Sequence, residues 1–303
     1  MKLTPVAKRY LKFALTIVLL AALLLSFDVS RFAAALFRVD AGWMAAGIAL
    51  CFAFVGARMF KWIYLARANG LVAPSIDLVR AMAFALALGI VTPGRVGEVA
   101  AIAPFPADAR SRALLAYVFD RIGELATVLL FCTPAALVFL PGWGLLVGAG
   151  LCLGSIGIVM AVQVPALRRA IAARLPQRTP ARLREVLGSV ITVSPAYWLL
   201  SLLTYFITYA SVAAFIAGSE SIDSPLALLL LPPVTLSNLI TITIGGLGLR
   251  EGLAALVAPA GGVSPEVAAA AFFLSFFWTR LVPGMLGVGW NLARTLWPKH
   301  GRE

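Results

Sequence analysis

The chain has 303 residues, 61% of them hydrophobic and only 13% charged, with 25 Lys and Arg against 13 Asp and Glu for a net charge of +12. Soluble domains average about 25% charged and about 45–50% apolar residues, so this apolar excess cannot all be buried in the core of one water-soluble domain, and most enzyme classes built on soluble folds are excluded. Several apolar runs reach the roughly 18–20 residues that cross a bilayer, which points to an all-α polytopic membrane protein.

A basic segment with Lys2, Lys8, Arg9 and Lys12 precedes the first apolar run, 13–27. No small-residue cleavage site follows it cleanly, so it reads as a retained helix and not a removed leader. The second run, 42–65, has Arg58, Lys61 and Arg67 grouped toward its end. The third, 76–103, is broken near its centre by Thr92-Pro93-Gly94-Arg95. Runs at 113–140 and 143–164 follow, and then a basic connector over 165–190 with Arg168, Arg169, Arg174, Arg178, Arg182 and Arg184. The chain continues with 193–217, with 225–258 broken by Gly245-Gly246-Leu247-Gly248, and with 267–296.

Glycine and proline interrupt helical hydrogen bonding, and such backbone is tolerated at membrane depth only against protein or a wet cavity. Each broken run is therefore expected to form a re-entrant helical hairpin; the alternative is a pair of kinked spans. The expectation is one integral membrane domain over 1–303, with about six full spans and two re-entrant hairpins.

Charge placement fits this arrangement. With the N-terminus cytoplasmic, the Arg58, Lys61 and Arg67 group, Arg110 and Arg112, the connector, and the tail with Arg294, Lys299 and Arg302 all fall on the cytoplasmic side. The 28–40 loop, Pro141-Gly142 and the loop with Glu220 and Asp223 fall outside. No aromatic-interleaved basic surface is present, so nucleic acid is not an expected partner. Cys51, Cys132 and Cys152 lie in separate apolar runs and read as packing residues, and His300 sits in the polar tail; neither a metal nor a cofactor is expected.

The halves echo each other, 42–140 against 193–296. Gly97-Glu98-Val99-Ala100-Ala101 resembles Arg250-Glu251-Gly252-Leu253-Ala254, and Phe119-Asp120-Arg121 resembles Trp278-Thr279-Arg280. The two units start on opposite sides, the inverted-repeat pattern of transporters with discontinuous helices and a midplane site.

The candidate substrate-binding residues are the charges inside these runs: Arg95, Glu98, Asp120, Arg121, Glu124, Arg250, Glu251 and Arg280. Each costs about 2.5–3.5 kcal/mol to insert, so each is expected to face protein or water. Arg95 and Arg250 follow the helix breaks, where a half-helix begins with free N–H groups and a partial positive charge. A guanidinium beside such an N-terminus suits phosphate. Glu98 and Glu251 are expected to pair with Arg280 and Arg121, bind a cationic part of the substrate, or carry protons. Asp120 and Glu124 share a helix face, with Arg112 or water as the alternative partner. The plainer reading makes all these charges internal ion pairs that hold the hairpins. Thr92, Thr235, Ser237, Asn238, Thr241 and Thr243 are expected mainly to satisfy broken backbone, and Tyr197, Trp198, Trp290 and Trp297 to anchor at the membrane interface.

At these residues the sequence resembles the flippase-like membrane domain of lysylphosphatidylglycerol synthases and its standalone relatives. The matching pieces are Thr92-Pro93-Gly94-Arg95-Val96-Gly97-Glu98, Phe119-Asp120-Arg121, Gly245-Gly246-Leu247-Gly248-Leu249-Arg250-Glu251-Gly252 and Thr279-Arg280-Leu281. The resemblance implies translocation of a polar-headed lipid across a bacterial inner membrane, with an anionic membrane lipid as the partner and a homodimer as a compatible assembly. The chain ends seven residues after Leu296, so the soluble aminoacyl-transfer domain of the bifunctional synthases is expected to be missing and the chain not to make lysylphosphatidylglycerol itself. No Walker motif is present, so transport would be passive or proton-coupled through Glu98 or Glu251. The alternatives are a membrane-embedded lipid or polyprenyl transferase, and a non-catalytic subunit of a lipid synthesis complex.

Overall fold

The computed structural model describes residues 29–92, 96–106, 109–174, 193–222, 226–237 and 246–296. The expected first span at 13–27, Arg95, Gly245, Asn238, Thr241, Thr243, Asp223, most of the connector beyond 174, Trp297 and His300 lie outside the described residues.

All regular structure among the described residues is helical. The helices are α1 (Val29–Phe37), α2 (Ala41–Ala68), α3 (Ser75–Val91), α4 (Arg110–Phe139), α5 (Gly144–Gln163), α6 (Pro165–Arg174), α7 (Pro195–Ala217), α8 (Leu226–Leu229), α9 (Leu231–Leu236), α10 (Leu249–Val257), α11 (Pro265–Phe276) and α12 (Val282–Leu296). Five spans are long and apolar enough to cross a bilayer: α2, α4, α5, α7 and the continuous Pro265–Ala293. They coincide with five of the six runs expected to be full spans, and the sixth, 13–27, lies outside the described residues. The protein is a multi-pass membrane protein.

Local chemistry sets the ends of these helices. Asp40 Oδ1 accepts the N–H groups of Gly42 and Trp43 at 2.9 and 3.2 Å and starts α2. Gly70, at φ +73°, ends it: the left-handed conformation returns the Gly70 and Leu71 N–H groups to the carbonyls of Arg67 and Ala66.

Neither broken run holds one long helix among its described residues. α3 stops at Val91, and the Thr92 hydroxyl donates to the Leu88 carbonyl at 2.7 Å while accepting the Gly97 N–H at 2.7 Å. One side chain thereby serves backbone groups on both sides of the break, and a 3-10 turn over Val96–Ile102 follows. In the second run Pro232 lies in the first turn of the short α9, and α10 begins only at Leu249.

α11 passes into α12 through a π turn over Phe277–Leu281. Pro283 has no N–H for the Thr279 carbonyl, and the Val282 N–H reaches back five residues to Phe277.

The described residues form two compact units, one from those within 29–55, 83–98 and 206–296, the other from those within 56–82 and 99–205. In the first, α12 lies against α3 where glycines leave room: a Cβ on Gly287 would sit 2.6 Å from the Ala83 carbonyl, and one on Gly284 3.2 Å from Ala87 Cα. In the second, α4 and α5 form a close antiparallel pair. Gly144 lies under the Ala136 carbonyl, and the Ser155 hydroxyl donates to the Ala126 carbonyl at 2.9 Å. Its core gathers Trp62, Leu65, Leu78, Met82, Phe105, Leu115, Phe119 and Tyr197. The outward faces are apolar, with Leu145, Leu153, Leu199 and Phe206 all exposed, as a lipid-facing surface requires.

Candidate functional site

Among the described residues, the second unit holds a largely buried cluster of five charged side chains. Lys61 Nζ lies 2.9 Å from Asp120 Oδ1, with both side chains almost wholly buried. Arg121 bridges the two carboxylates of its own helix, Asp120 at 2.9 Å and Glu124 at 2.6 Å, and its guanidinium lies over the Tyr117 ring. Arg58 completes the group, 3.7 Å from Glu124. Asp120, Arg121 and Glu124 are thus brought together as expected, but Arg112 is not their partner; it donates to the Gly70 carbonyl at 2.7 Å instead. Among the described residues, three cations thus gather around two carboxylates.

Arg58 and Lys61 correct the sequence reading. They were expected among the orientation charges beside a span, whereas both are buried inside α2 and bound to α4 carboxylates. The signal was present: the two lie three residues apart inside the run assigned as a span, so they share one helix face. Tyr197 is a second correction. It is fully buried, not interfacial, and donates to the Phe119 carbonyl across the position of Gly123, where a Cβ would lie 1.7 Å from its hydroxyl.

In the first unit, two ion pairs among the described residues lie beside the broken runs. Glu98, in the 3-10 turn, pairs with Arg280 of the π turn at 3.7 Å, as expected. It lies against α3 at Gly89, where a Cβ would approach its Cγ to 2.5 Å, so the glycine makes room for the carboxylate.

The other pair stands at the start of α10. Gly246 and Gly248 adopt φ of +78° and +83°, the left-handed region that favours glycine, and Gly248 caps the helix. Glu251, at the third helical position, accepts the Gly248 N–H at 2.8 Å, which is one half of a capping box. It also pairs with Arg250 and not, as one expectation had it, with Arg121. The Arg250 guanidinium stacks on Phe276, 4.8 Å from the ring centroid. The side chain is buried, and its Nε has no hydrogen-bond partner among the described residues.

The hydroxyls near the second break do structural service. Thr235 donates to the Pro232 carbonyl at 2.6 Å and meets the Tyr209 hydroxyl at 3.0 Å, and Ser237 donates to the Val234 carbonyl.

Buried arginine–glutamate pairs beside broken helices, in a chain whose outer faces are apolar, describe a membrane protein that keeps water-seeking chemistry inside it. The family model described as the lysylphosphatidylglycerol synthase TM region matches residues 9–287. The chain belongs to that family. Among curated proteins, none matches the chain. Membership in the lysylphosphatidylglycerol synthase TM family gives the protein a membrane lipid-related role, and the match includes the charge cluster of the second unit and both ion pairs of the first.

Proposed function

We propose that the protein is a lipid translocase of the bacterial inner membrane, which moves a lipid with an anionic, phosphate-bearing headgroup between leaflets and performs no group transfer of its own. The observation that carries this reading is Arg250: a buried guanidinium at a helix N-terminus, paired on one side and with its Nε still unpartnered among the described residues.

An ionised phosphate cannot enter hydrocarbon without partners, and a buried donor left unpaired is itself costly, so each group supplies what the other lacks. A phosphate oxygen would take the Arg250 Nε first and then compete with Glu251 for the rest of the guanidinium. Glu251 would keep the Gly248 N–H, so the carboxylate released from one partner still has another. The Glu98–Arg280 pair offers a second exchangeable contact, and Arg95 is the further arginine expected to meet the headgroup. In this account the two broken runs are re-entrant hairpins of inverted repeats, both termini are cytoplasmic, and the acyl chains stay in lipid throughout.

The test is leaflet exchange of fluorescent phospholipids in liposomes containing the purified chain. Exchange should exceed that of empty liposomes, and Arg250→Ala should slow it about tenfold, the effect of losing ~1.4 kcal/mol of barrier lowering. Exchange equal to empty liposomes, with chemical conversion of an added lipid donor, would replace this reading with the transferase.

A further inference from the structure

The first unit also contains a polar cavity of about 500 Å³, away from the ion pairs in the broken runs. It opens between α1, the loop after α7 and the start of α11, and its polar lining includes Arg31, Arg38, Ser219, Glu220, Ser264 and Glu266. Such a volume accommodates a small headgroup.

The two carboxylates have different duties. Glu220 is committed to structure: it accepts the Ser264 backbone N–H at 2.8 Å and the Ser264 hydroxyl, which secures the start of α11. Glu266 is half-buried and makes no hydrogen bond or ion pair among the described residues. The Arg38 side chain likewise makes none and is exposed, and Arg31, seven residues earlier, lines the same cavity. A cavity with an uncommitted carboxylate and an uncommitted guanidinium that do not neutralise each other is built for a ligand carrying both signs.

Its surroundings point to a lipid. α1 packs along α11, with Phe32 edge-on to Phe273 at 6.1 Å, and leaves Phe37 almost entirely exposed beside Arg38. An exposed aromatic next to an arginine on a short helix is the composition of the headgroup level, where the ring meets acyl chains and the guanidinium meets phosphate.

We infer that this cavity is a second headgroup site, for a lipid whose headgroup carries both a phosphate and an ammonium group. Arg31 and Arg38 hold the phosphate and Glu266 holds the ammonium. The site is a binding site in its own right and does not depend on the translocase reading.

Native mass spectrometry of the full chain tests it, with equimolar phosphoethanolamine lipid and an amine-free glycerol-phosphate lipid of the same acyl chains. The wild type should retain the amine-bearing lipid about tenfold better, the worth of one charge-assisted contact. Glu266→Gln should abolish that preference while still binding both lipids, Glu266→Asp should keep most of it, and Arg38→Gln should weaken both lipids together. Glu266 lies in the first turn of α11, so thermal midpoints are measured alongside: a merely structural role would lower stability and leave the ratio of the two lipids unchanged. No preference in the wild type, or full preference in Glu266→Gln, would overturn the assignment. Displacement of the lipid by an equal concentration of soluble phosphoethanolamine would also overturn it, by assigning the cavity to a free solute.

Discussion

Lys61 and Asp120 face each other at 2.9 Å with almost no access to water, and Asp120, which Arg121 also holds, is the reason the buried Lys61 ammonium is tolerated. Removing one member of a buried pair strands the other, at a cost of about 3–5 kcal/mol, whereas replacing both with apolar residues is often close to neutral. Asp120→Leu, which strands the Lys61 ammonium, is therefore expected to lower the unfolding midpoint in detergent sharply, and Asp120→Leu with Lys61→Met to recover most of the loss. Glycines give a second contrast. Gly123→Ala would drive a methyl group into the Tyr197 hydroxyl and should destabilise by about 1–3 kcal/mol, as overpacking does, while Gly56→Ala, with nothing within 4 Å of the new Cβ, should be neutral or mildly stabilising. Equal midpoints for the two alanine variants would contradict the packing described around Tyr197. The candidate list was partly legible at this scale. Glu98, Asp120, Arg121, Glu124, Arg250, Glu251 and Arg280 stand out because charge in an apolar run is rare and costly. Arg58 and Lys61 were hidden by their place near a span end, where basic residues ordinarily report orientation. The partners that reassign them, Asp120 and Glu124, lie about 60 residues away in sequence, and no local spacing reveals that contact.

The long helices were legible because a membrane demands an apolar run of fixed length and little else. The expected 42–65, 113–140, 143–164 and 193–217 became Ala41–Ala68, Arg110–Phe139, Gly144–Gln163 and Pro195–Ala217, with ends shifted by capping groups such as Asp40 and Gly70. The expected 267–296 runs on past Pro283, and the sequence shows the proline but not that the chain answers with a π turn carrying Arg280. Inside the broken runs, composition marks the interruption but not how the backbone is repaired, which rests on side chains such as Thr92 and Glu251. Two tests belong here. Gly248→Ala forces a side chain into φ +83° at the start of α10 and should destabilise the protein more than Gly252→Ala within the same helix. Gly287→Ala should loosen α12 from α3, read as faster hydrogen exchange confined to those two helices, since the new methyl group would meet the Ala83 backbone at 2.6 Å. Unchanged exchange in both helices would refute the close approach.

For the whole molecule, the net charge of +12 divides into loop charges that set orientation and a small buried set that pairs with carboxylates. Moving Arg58 and Lys61 to the buried set leaves Arg67, Arg110, Arg112 and the α6 arginines as the charges on which the proposed cytoplasmic side rests. With the native cysteines replaced, Ser219→Cys should react with an impermeant thiol reagent added outside intact cells, and Arg174→Cys only after the membrane is opened; the reverse pattern would invert the proposed topology. The central claim is that Arg250 meets the headgroup phosphate as the lipid crosses. It is tested most directly by leaflet exchange in liposomes, with a phosphate-bearing lipid compared against an uncharged glycolipid of the same acyl chains. The account predicts that the wild type exchanges the phosphate lipid about tenfold faster than the glycolipid, and that Arg250→Gln reduces the two to a common rate. An Arg250→Gln protein that keeps both the wild-type rate and the wild-type preference would contradict it.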